Sequence, residues 1–514
     1  MTQPLNFPIY LPEDRDEIPG RSLLPLLFWS LLAVTTLFRF FYALKLPLTG
    51  DEAYFWEWAR HPALGYYDHP PMAGWILWLT RSLLGDTVAA VRLPAVLAGT
   101  LVVIIVNRFT FHITGSFRAA SLTGILTMGL PLIGVFGVLY STDTPLLAAG
   151  TLGGYLFFRA LESDSPVAWG VTGACFAVLL SSKFLGAPLI AACALYLAVF
   201  SEARKHLRTP GPYIAMVITL LGLIPVIVWN ATHAWSTFAF NFASRHEPPA
   251  FGILHVADYA VGQALALSPV VLILGVPLLA RFLLFSRGLN RSPWELPAFL
   301  AAIPLGGFFL LSFVTKIGLH WPGVGVPFLA VALGAHLWES GRGKGRYYLC
   351  IGTAWAVTAL IFILPLIPAL LPPHWQYPLR PDKINSAQVR KYTASTGQIG
   401  ALVTTALETL PEGTKQFIFS RSYALSSLVA FYTPGNPEVT VLGGGSAHGR
   451  NHTYWFDPSL HIGHNAVFVT YNSAAGERAF LEARFHHWET LTDSADPDGT
   501  LVSVIMCYGY NGEK

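Results

Sequence analysis

Charged residues are scarce in this chain. They make up 12% of its 514 residues, about half the share found in soluble domains, whereas hydrophobic residues make up 53%. With a mean hydropathy of +0.50, this composition excludes an ordinary soluble globular protein and indicates a polytopic α-helical membrane protein. The net charge is only +3, and the basic residues are dispersed between apolar runs, so nothing favours nucleic-acid binding.

Cysteine is also scarce, with four residues in the whole chain. Three of them lie in apolar runs and Cys507 stands alone in the polar tail, which argues against a disulfide framework or a CxxC metal site. The sequence has no G-x-x-x-x-G-K-[ST] or G-x-G-x-x-G motif, so no motif supports a nucleotide-driven pump or a nucleotide-sugar donor. The first apolar run, residues 22–46, has the length of a membrane span rather than that of a cleavable signal.

What the chain does have is long apolar runs, each near the roughly 20 residues that a bilayer requires. They predict about eleven membrane-spanning helices, at approximately 22–46, 88–113, 118–139, 143–161, 166–181, 184–200, 211–231, 257–285, 294–314, 321–339 and 346–371. The run from Pro70 to Leu84 contains two tryptophans and Arg81, which favours an interfacial or re-entrant segment. We therefore expect a transmembrane domain at 1–372, with a first outer loop at about 47–87.

Basic residues between the runs predict the orientation, because cytoplasmic loops are enriched in Lys and Arg. With a cytoplasmic amino terminus, the basic connections near residues 204–208, 281–291 and 342–346 share the cytoplasmic side. The same count places six segments on the opposite, outer face: the loop containing Asp51, the turns at 141–143 and 182–183, the loop at 232–256, the turn at 316–320 and the tail.

The composition changes after Pro372-Pro373 from apolar to mixed. Residues 373–514 predict a small soluble α/β domain on the outer face. Its helical patterns lie at about 386–410 and 475–486, and its strand-like runs are Gln416–Ser420, Glu438–Leu442, Ala466–Tyr471 and Leu501–Tyr508.

The most informative segment is Leu48 to Met72, which begins with an acidic pair, Asp51 and Glu52, directly after an apolar run. A carboxylate near hydrocarbon is costly unless water, a partner or a function keeps it there. One interpretation is an acidic cap for a helix starting near Ala53. The other is a general base, and one residue of the pair can cap while its neighbour reacts.

Aromatic residues follow the acidic pair, and their spacing favours an interfacial belt on a helix lying flat on the membrane. A sugar contact is the alternative for some of them, and the candidates for acceptor or sugar contacts are Tyr54, Tyr66, Tyr67 and Asp68. His69 precedes two prolines, which favour extended backbone, and near neutral pH it could face an anionic group.

Further polar residues interrupt the apolar runs on the predicted outer face. Asp143 begins a run in the sequence Tyr-Ser-Thr-Asp-Thr-Pro, where it is either a helix cap or a second carboxylate of a shared site. Lys183, Lys316, His320 and Arg245 could be lipid anchors or could receive the phosphate of a lipid-linked substrate. Carboxylates that activate an acceptor, beside cations that bind phosphate, are typical of a membrane-embedded transferase.

These residues resemble the GT-C superfamily of integral-membrane glycosyltransferases, in the bacterial branch related to protein O-mannosyltransferases and the lipid A aminoarabinose transferase. The resemblance rests on motifs spread over nearly the whole chain: Gly50-Asp51-Glu52-Ala53-Tyr54, Tyr66-Tyr67-Asp68-His69-Pro70-Pro71, Arg92-Leu93-Pro94, Thr142-Asp143-Thr144-Pro145, the loop from Trp229 to Phe240, Lys316 with Trp321-Pro322, and Phe431-Tyr432-Thr433-Pro434-Gly435.

The resemblance implies a polyprenyl-phosphate-linked sugar donor and inverting transfer to an acceptor, at the periplasmic face of a bacterial inner membrane. Asp51 would be the catalytic carboxylate, with Asp143 and Glu52 beside it, whereas His69 stands where aminoarabinose transferases have a lysine. The acceptor would be lipid A, another envelope glycan or lipid, or protein hydroxyls. A divalent metal stays open, because no ligand spacing requires one. A lipid or solute transporter is the rival class, but it should carry charges near the bilayer midplane.

Overall fold

A computed structural model describes residues 23–244, 250–285, 294–341, 344–363, 396–411, 415–444, 449–494 and 501–512. We number its helices and strands in chain order. The helices of the amino-terminal part are α1 (Leu24–Lys45), α2 (Gly50–Arg60), α3 (Met72–Leu84), α4 (Val88–Thr114), α5 (Phe117–Gly129), α6 (Pro131–Phe136), α7 (Asp143–Ser163), α8 (Pro166–Ser182), α9 (Ala187–Val199), α10 (Ser201–Arg204), α11 (Gly211–Leu221), α12 (Ile224–Thr232), α13 (Ser236–Ala239), α14 (Ile253–Leu267), α15 (Pro269–Phe285), α16 (Glu295–Leu311), α17 (Val326–Glu339) and α18 (Lys344–Ile363).

Within the described ranges, five helical segments are long and apolar enough to cross a membrane, or up to seven if each of two bent pairs is one span. Shorter apolar helices, such as α8 and α16, accompany them. The amino-terminal part is therefore a multi-pass helical membrane fold, and the count of about eleven spans stays a prediction. Helix α3 has only 13 residues, about 20 Å of helix, which is shorter than the roughly 30 Å hydrocarbon core.

The predicted run at 257–285 is broken in the structure. Helices α14 and α15 meet at an angle of 111°, and the residue between them, Ser268, has a φ of 75°. This left-handed backbone conformation ends the i to i−4 hydrogen-bond ladder. A single helix over this run is therefore wrong.

The carboxy-terminal part is an α/β domain built on a five-stranded sheet. Its elements are α19 (Thr396–Thr409), β1 (Gln416–Ser420), α20 (Tyr423–Tyr432), β2 (Val439–Val441), α21 (His452–Trp455), β3 (Asn465–Thr470), α22 (Ala474–Glu482), β4 (Phe485–Thr492) and β5 (Ser503–Tyr510). The strand order is β2-β1-β3-β5-β4. Strand β1 is parallel to β2 and β3, whereas β5 is antiparallel to β3 and β4.

Four predicted strands match β1, β2, β3 and β5, but one predicted helix needs correction and one helix was missed. The pattern at 475–486 predicted one helix, whereas α22 ends at Glu482 and strand β4 begins at Phe485. Helix α20 was not predicted. The first part of the predicted helix at 386–410 and the predicted domain boundary at 372/373 lie outside the described residues.

Alternating residues of the sheet face two different cores. On one face, Val467 and Val504 pack in a cluster that also contains the aromatic residues of α2. On the other face, Phe468 and Ile505 pack toward α22. The carboxy-terminal domain thus lies directly on the loop that carries the acidic pair.

This packing contradicts the interfacial belt that the sequence favoured. Tyr54, Phe55, Trp56 and Trp58 are between 0% and 7% exposed. The ring of Trp56 lies edge-on to Phe431 of α20, with the ring centroids 5.1 Å apart. These rings belong to an interface between α2 and the carboxy-terminal domain, which the local spacing of residues could not reveal.

Candidate functional site

Helix α2 begins immediately before the acidic pair and is held by a capping box. The hydroxyl of Thr49 accepts from the amide of Glu52 at 3.2 Å, and the Glu52 carboxylate accepts from the amide of Thr49 at 2.9 Å. Gly50 lies so close to α20 that an added Cβ would be 2.4 Å from the Cβ of Ala424. The helix therefore starts three residues before the predicted start at Ala53, in a tightly fixed position.

Glu52 and Arg92 form a buried ion pair, and each residue is 1% exposed. The Arg92 guanidinium donates to both carboxylate oxygens of Glu52, through Nε at 2.8 Å and Nη2 at 2.7 Å, and also to the carbonyls of Leu46 and Pro47 at 2.8 and 2.7 Å. The same carboxylate accepts from the amide of Tyr140 at 3.0 Å. Glu52 thus joins α1, α2, α4 and the segment before α7, and these contacts give it a structural role.

Asp51 differs from its neighbour because its side chain is exposed. One carboxylate oxygen accepts from the hydroxyl of Tyr423, the first residue of α20, at 2.7 Å. No sequence pattern indicated Tyr423, which lies 372 positions away. The two residues of the pair thus differ in role. Glu52 caps helix α2, whereas Asp51 places an exposed carboxylate at the positive, amino-terminal end of that helix.

Asp143, Lys183 and His320, all expected on the outer face, lie against one another, while a site shared by Asp143 and Asp51 stays a prediction. The Lys183 ammonium lies 2.8 Å from Oδ2 of Asp143, and the same oxygen lies 3.6 Å from Nε2 of His320. Asp143 and Lys183 are each 4% exposed, so Lys183 forms a buried ion pair and is not a headgroup anchor. Lys316, on the segment before His320, is exposed.

Asp68 organises a second polar cluster beneath the carboxy-terminal domain. The hydroxyl of Tyr54 donates to Asp68 at 2.7 Å, and the amide of Gly449 donates to the same oxygen at 3.2 Å. Burial and the Asp68 carboxylate raise the pKa of Tyr54 well above its usual value, so its hydroxyl stays protonated and donates. Asn451 donates to the Tyr54 hydroxyl and accepts from the amide of Tyr67 at 2.9 Å. Sequence reasoning missed Gly449 and Asn451.

Tyr66 and His69 lie deeper in the same loop. The ring of Tyr66 stacks on Trp58 with centroids 4.3 Å apart, and its hydroxyl donates to the Trp58 carbonyl at 2.9 Å. His69 is 9% exposed, and its carbonyl accepts from the amide of Tyr66 at 3.0 Å. The hydroxyls of Tyr54 and Tyr66 are therefore used within the protein, whereas Tyr67 is half-buried. Arg245 lies outside the described residues.

The described residues contain one cluster whose donor atoms could hold a metal ion, formed by Glu57, His61 and Glu438. Arg60 already donates to Glu438 at 2.6 Å and lies 3.3 Å from Glu57. The cluster lies at the carboxyl end of α2, one helix length from Asp51. It joins α2 to the carboxy-terminal domain through charge pairing.

Comparison with known sequences supports the resemblance noted above. A profile of the dolichyl-phosphate-mannose-protein mannosyltransferase family matches residues 68–229. Lipid A galacturonosyltransferase RgtD from Rhizobium johnstonii is 24% identical over 184 residues, which are 36% of this chain and 38% of the relative. The alignment thus spans less than half the length of that relative.

Solved structures resemble the chain over nearly its whole length. ArnT from Cupriavidus metallidurans bound to undecaprenyl phosphate superposes with a TM-score of 0.66 at 16% identity, covering 94% of this chain and 97% of that one. The apo form of the same protein gives a TM-score of 0.64 at 15% identity. These comparisons confirm the resemblance drawn from the motifs, and the chain shares the fold of ArnT.

Proposed function

We propose that this protein transfers a sugar, with inversion, from a polyprenyl-phosphate donor to an envelope acceptor such as lipid A or its core sugars. The observation that carries the proposal is that Asp51 is an exposed carboxylate on a helix held on two sides. The ion pair between Glu52 and Arg92 holds the helix on one side, and the carboxy-terminal domain holds it on the other through Tyr423. The names of two similar proteins support the substrates: one is a lipid A galacturonosyltransferase, and one was solved with undecaprenyl phosphate.

In this proposal Asp51 accepts the proton of the acceptor hydroxyl while that oxygen attacks the anomeric carbon of the donor sugar. The bond from this carbon to the phosphate oxygen breaks, and polyprenyl phosphate leaves with its electron pair. Attack from the face opposite the leaving group inverts the anomeric carbon. Because phosphate is already a good leaving group, the protein needs to stabilise negative charge rather than protonate it.

Lys316 and His320 are the residues we assign to the departing phosphate, with His69 as a further donor contact. Asp143 holds the Lys183 ammonium at 2.8 Å and lies 3.6 Å from His320. We assign Asp143 to positioning these cations, because both its neighbours carry or can carry positive charge. The site would open at the periplasmic face of the inner membrane, with the domain at 373–514 above it.

Asp51→Asn tests the assignment because it removes the basic oxygen and keeps the shape of the side chain. We expect transfer to fall at least about a hundredfold, as when one preorganised catalytic contact is removed, with unchanged thermal unfolding. The assay uses purified full-length protein, polyprenyl-phosphate sugar and lipid A. Glu482→Gln, on the exposed face of α22, is the matched control. Near-normal turnover by Asp51→Asn would refute the proposal.

A protein hydroxyl is the second candidate acceptor, favoured by the match of residues 68–229 to a protein mannosyltransferase family. Mass spectrometry of envelope lipids and glycoproteins from cells with and without the protein separates the two. Loss of a sugar from lipid A supports the first acceptor, and loss from a protein supports the second.

A further inference from the structure

A crevice lies at the carboxyl ends of strands β1 and β3. Its volume is about 370 Å³, within the range of small-molecule sites. Strand β1 pairs in parallel with β2 on one side and with β3 on the other. After β1 the chain therefore first adds β2 on one side and then crosses to add β3 on the opposite side. Such a point, where the strand order reverses, is where open α/β sheets bind ligands.

The wall of the crevice is polar, and its charges are paired. Glu477 is 1% exposed and lies 2.9 Å from the guanidinium of Arg421, whose side chain is 44% exposed. Asn472 and Thr470 donate to the other oxygen of Glu477 at 2.6 and 3.2 Å. A guanidinium backed by a carboxylate and surrounded by neutral donors suits a polyhydroxyl ligand better than a free anion.

The rim of the crevice is connected to Asp51. Arg421 and Ser422 line the crevice, and the next residue, Tyr423, donates its hydroxyl to Asp51 at 2.7 Å. Adjacent Cα atoms are about 3.8 Å apart and a tyrosine hydroxyl lies roughly 6.5 Å from its own Cα, so with the 2.7 Å hydrogen bond the Cα of Ser422 lies within roughly 13 Å of the Asp51 carboxylate. A saccharide of two or three units can span that distance.

We propose that this crevice binds a sugar of the acceptor and thereby presents a neighbouring hydroxyl to Asp51. The inference rests on the proposed function and adds the substrate class and the place of acceptor recognition. The donor is assigned elsewhere, because its lipid stays in the membrane and its phosphate faces the cations near Asp143.

Binding is tested on the full-length Asp51→Asn variant, so that no transfer occurs during the measurement. The probe is the deacylated saccharide of lipid A with its inner core sugars, titrated by calorimetry. Arg421→Gln should weaken binding about tenfold, the effect of losing one hydrogen bond to a charged group, and Asn472→Ala about fivefold, the effect of losing a neutral one. Arg478→Gln, an exposed position on α22, is the control and should bind as its parent does.

A double variant, Arg421→Gln with Glu477→Gln, guards against misfolding because it leaves no unpaired buried charge. It should unfold at the parent temperature and still bind about tenfold more weakly. Parental affinity in the double variant, or equal loss in the Arg478→Gln control, would overturn the proposal.

Kinetics separate this proposal from the proposed function. In the otherwise wild-type protein, which retains Asp51, Arg421→Gln should raise the acceptor KM about tenfold. It should leave kcat and the donor KM within twofold of the wild-type values. Failure of the wild-type protein to transfer any sugar would refute the proposed function, while the saccharide titration would still decide whether the crevice binds. An unchanged acceptor KM beside normal transfer would overturn the crevice alone.

Discussion

Replacing Glu52 by Gln distinguishes a structural carboxylate from Asp51, the carboxylate proposed to be catalytic. Both residues lie in the same motif, and Glu52→Gln and Asp51→Asn remove the same charge one position apart. Because Glu52 is 1% exposed and paired with Arg92, we expect Glu52→Gln to destabilise the fold. Because Asp51 is exposed, we expect Asp51→Asn to leave stability unchanged.

The magnitude follows from the contacts of Glu52. Breaking a buried ion pair by removing one charge costs about 3–5 kcal/mol, since the other charge is left without a partner. The Gln amide can replace part of the capping box with Thr49, but its NH₂ group faces the Arg92 guanidinium or the Tyr140 amide, which are both donors. The free energy of unfolding should therefore fall by about 3 kcal/mol or more.

Buried thiols provide the assay. Cys193, Cys350 and Cys507 are buried and unpaired, so a thiol-reactive fluorogenic dye reports unfolding of the detergent-solubilised protein during heating. Transfer activity is measured on the same preparations. Combining Glu52→Gln with Arg92→Gln should cost less than the sum of the single changes, by about 2 kcal/mol, because neither charge is then left unpaired.

Two results would refute this reasoning. A Glu52→Gln variant that is as stable as the parent but inactive would make Glu52 catalytic, as its motif predicts. A double variant whose cost equals the sum of the two single costs would show that the Arg92 contact contributes nothing to the stability of the loop.

Two further perturbations probe other parts of the site. Lys183→Met leaves Asp143 buried without its ammonium, so the unfolding temperature and transfer should both fall, while Lys183→Arg should recover most of both. At the junction of α2 with the carboxy-terminal domain, burial raises the pKa of Glu57 to about 8, so its contribution to stability is lost as the pH rises toward 8. Burial also lowers the pKa of His452 to about 4, so the contribution of neutral His452 to stability is lost as the pH falls below 6.5. Between pH 6.5 and 8 the raised pKa of Glu57 should cost about 2 kcal/mol of stability, which hydrogen exchange in α2 should show in the parent and not in Glu57→Gln.

The sequence predicted the features that depend on local pattern. Apolar runs located the hydrophobic helices, and β1 was predicted with its observed bounds because its apolar residues form a short strand-like run. Strand β4 was missed because half of its residues are exposed and one is buried, so it shows no apolar alternation. Helix α20 was missed because it is buried on nearly every side and has no polar face to reveal its period.

Long-range contacts could not be predicted in the same way. Nothing in the dipeptide Asp51-Glu52 indicates which carboxylate is buried, because that depends on Arg92, 40 positions away, and on Tyr423 of a different domain. Asp143 and Lys183 were both predicted on the outer face from the side on which each turn was placed, but Asp143 was expected to share a site with Asp51 rather than to pair with Lys183. Their direct contact at 2.8 Å needed coordinates.

The carboxy-terminal domain is part of the candidate site rather than an appendage to it. The amide of Leu48 donates to the hydroxyl of Tyr432 at 2.8 Å, so this domain holds the residue that precedes the capping box, while Tyr423 holds Asp51 itself. From the membrane side, Arg92 fixes the same turn through Glu52. An exposed carboxylate is normally mobile, but anchoring on both sides keeps Asp51 in place without burying it. This arrangement leaves Asp51 exposed and fixed in position, as the proposed proton transfer from an acceptor requires.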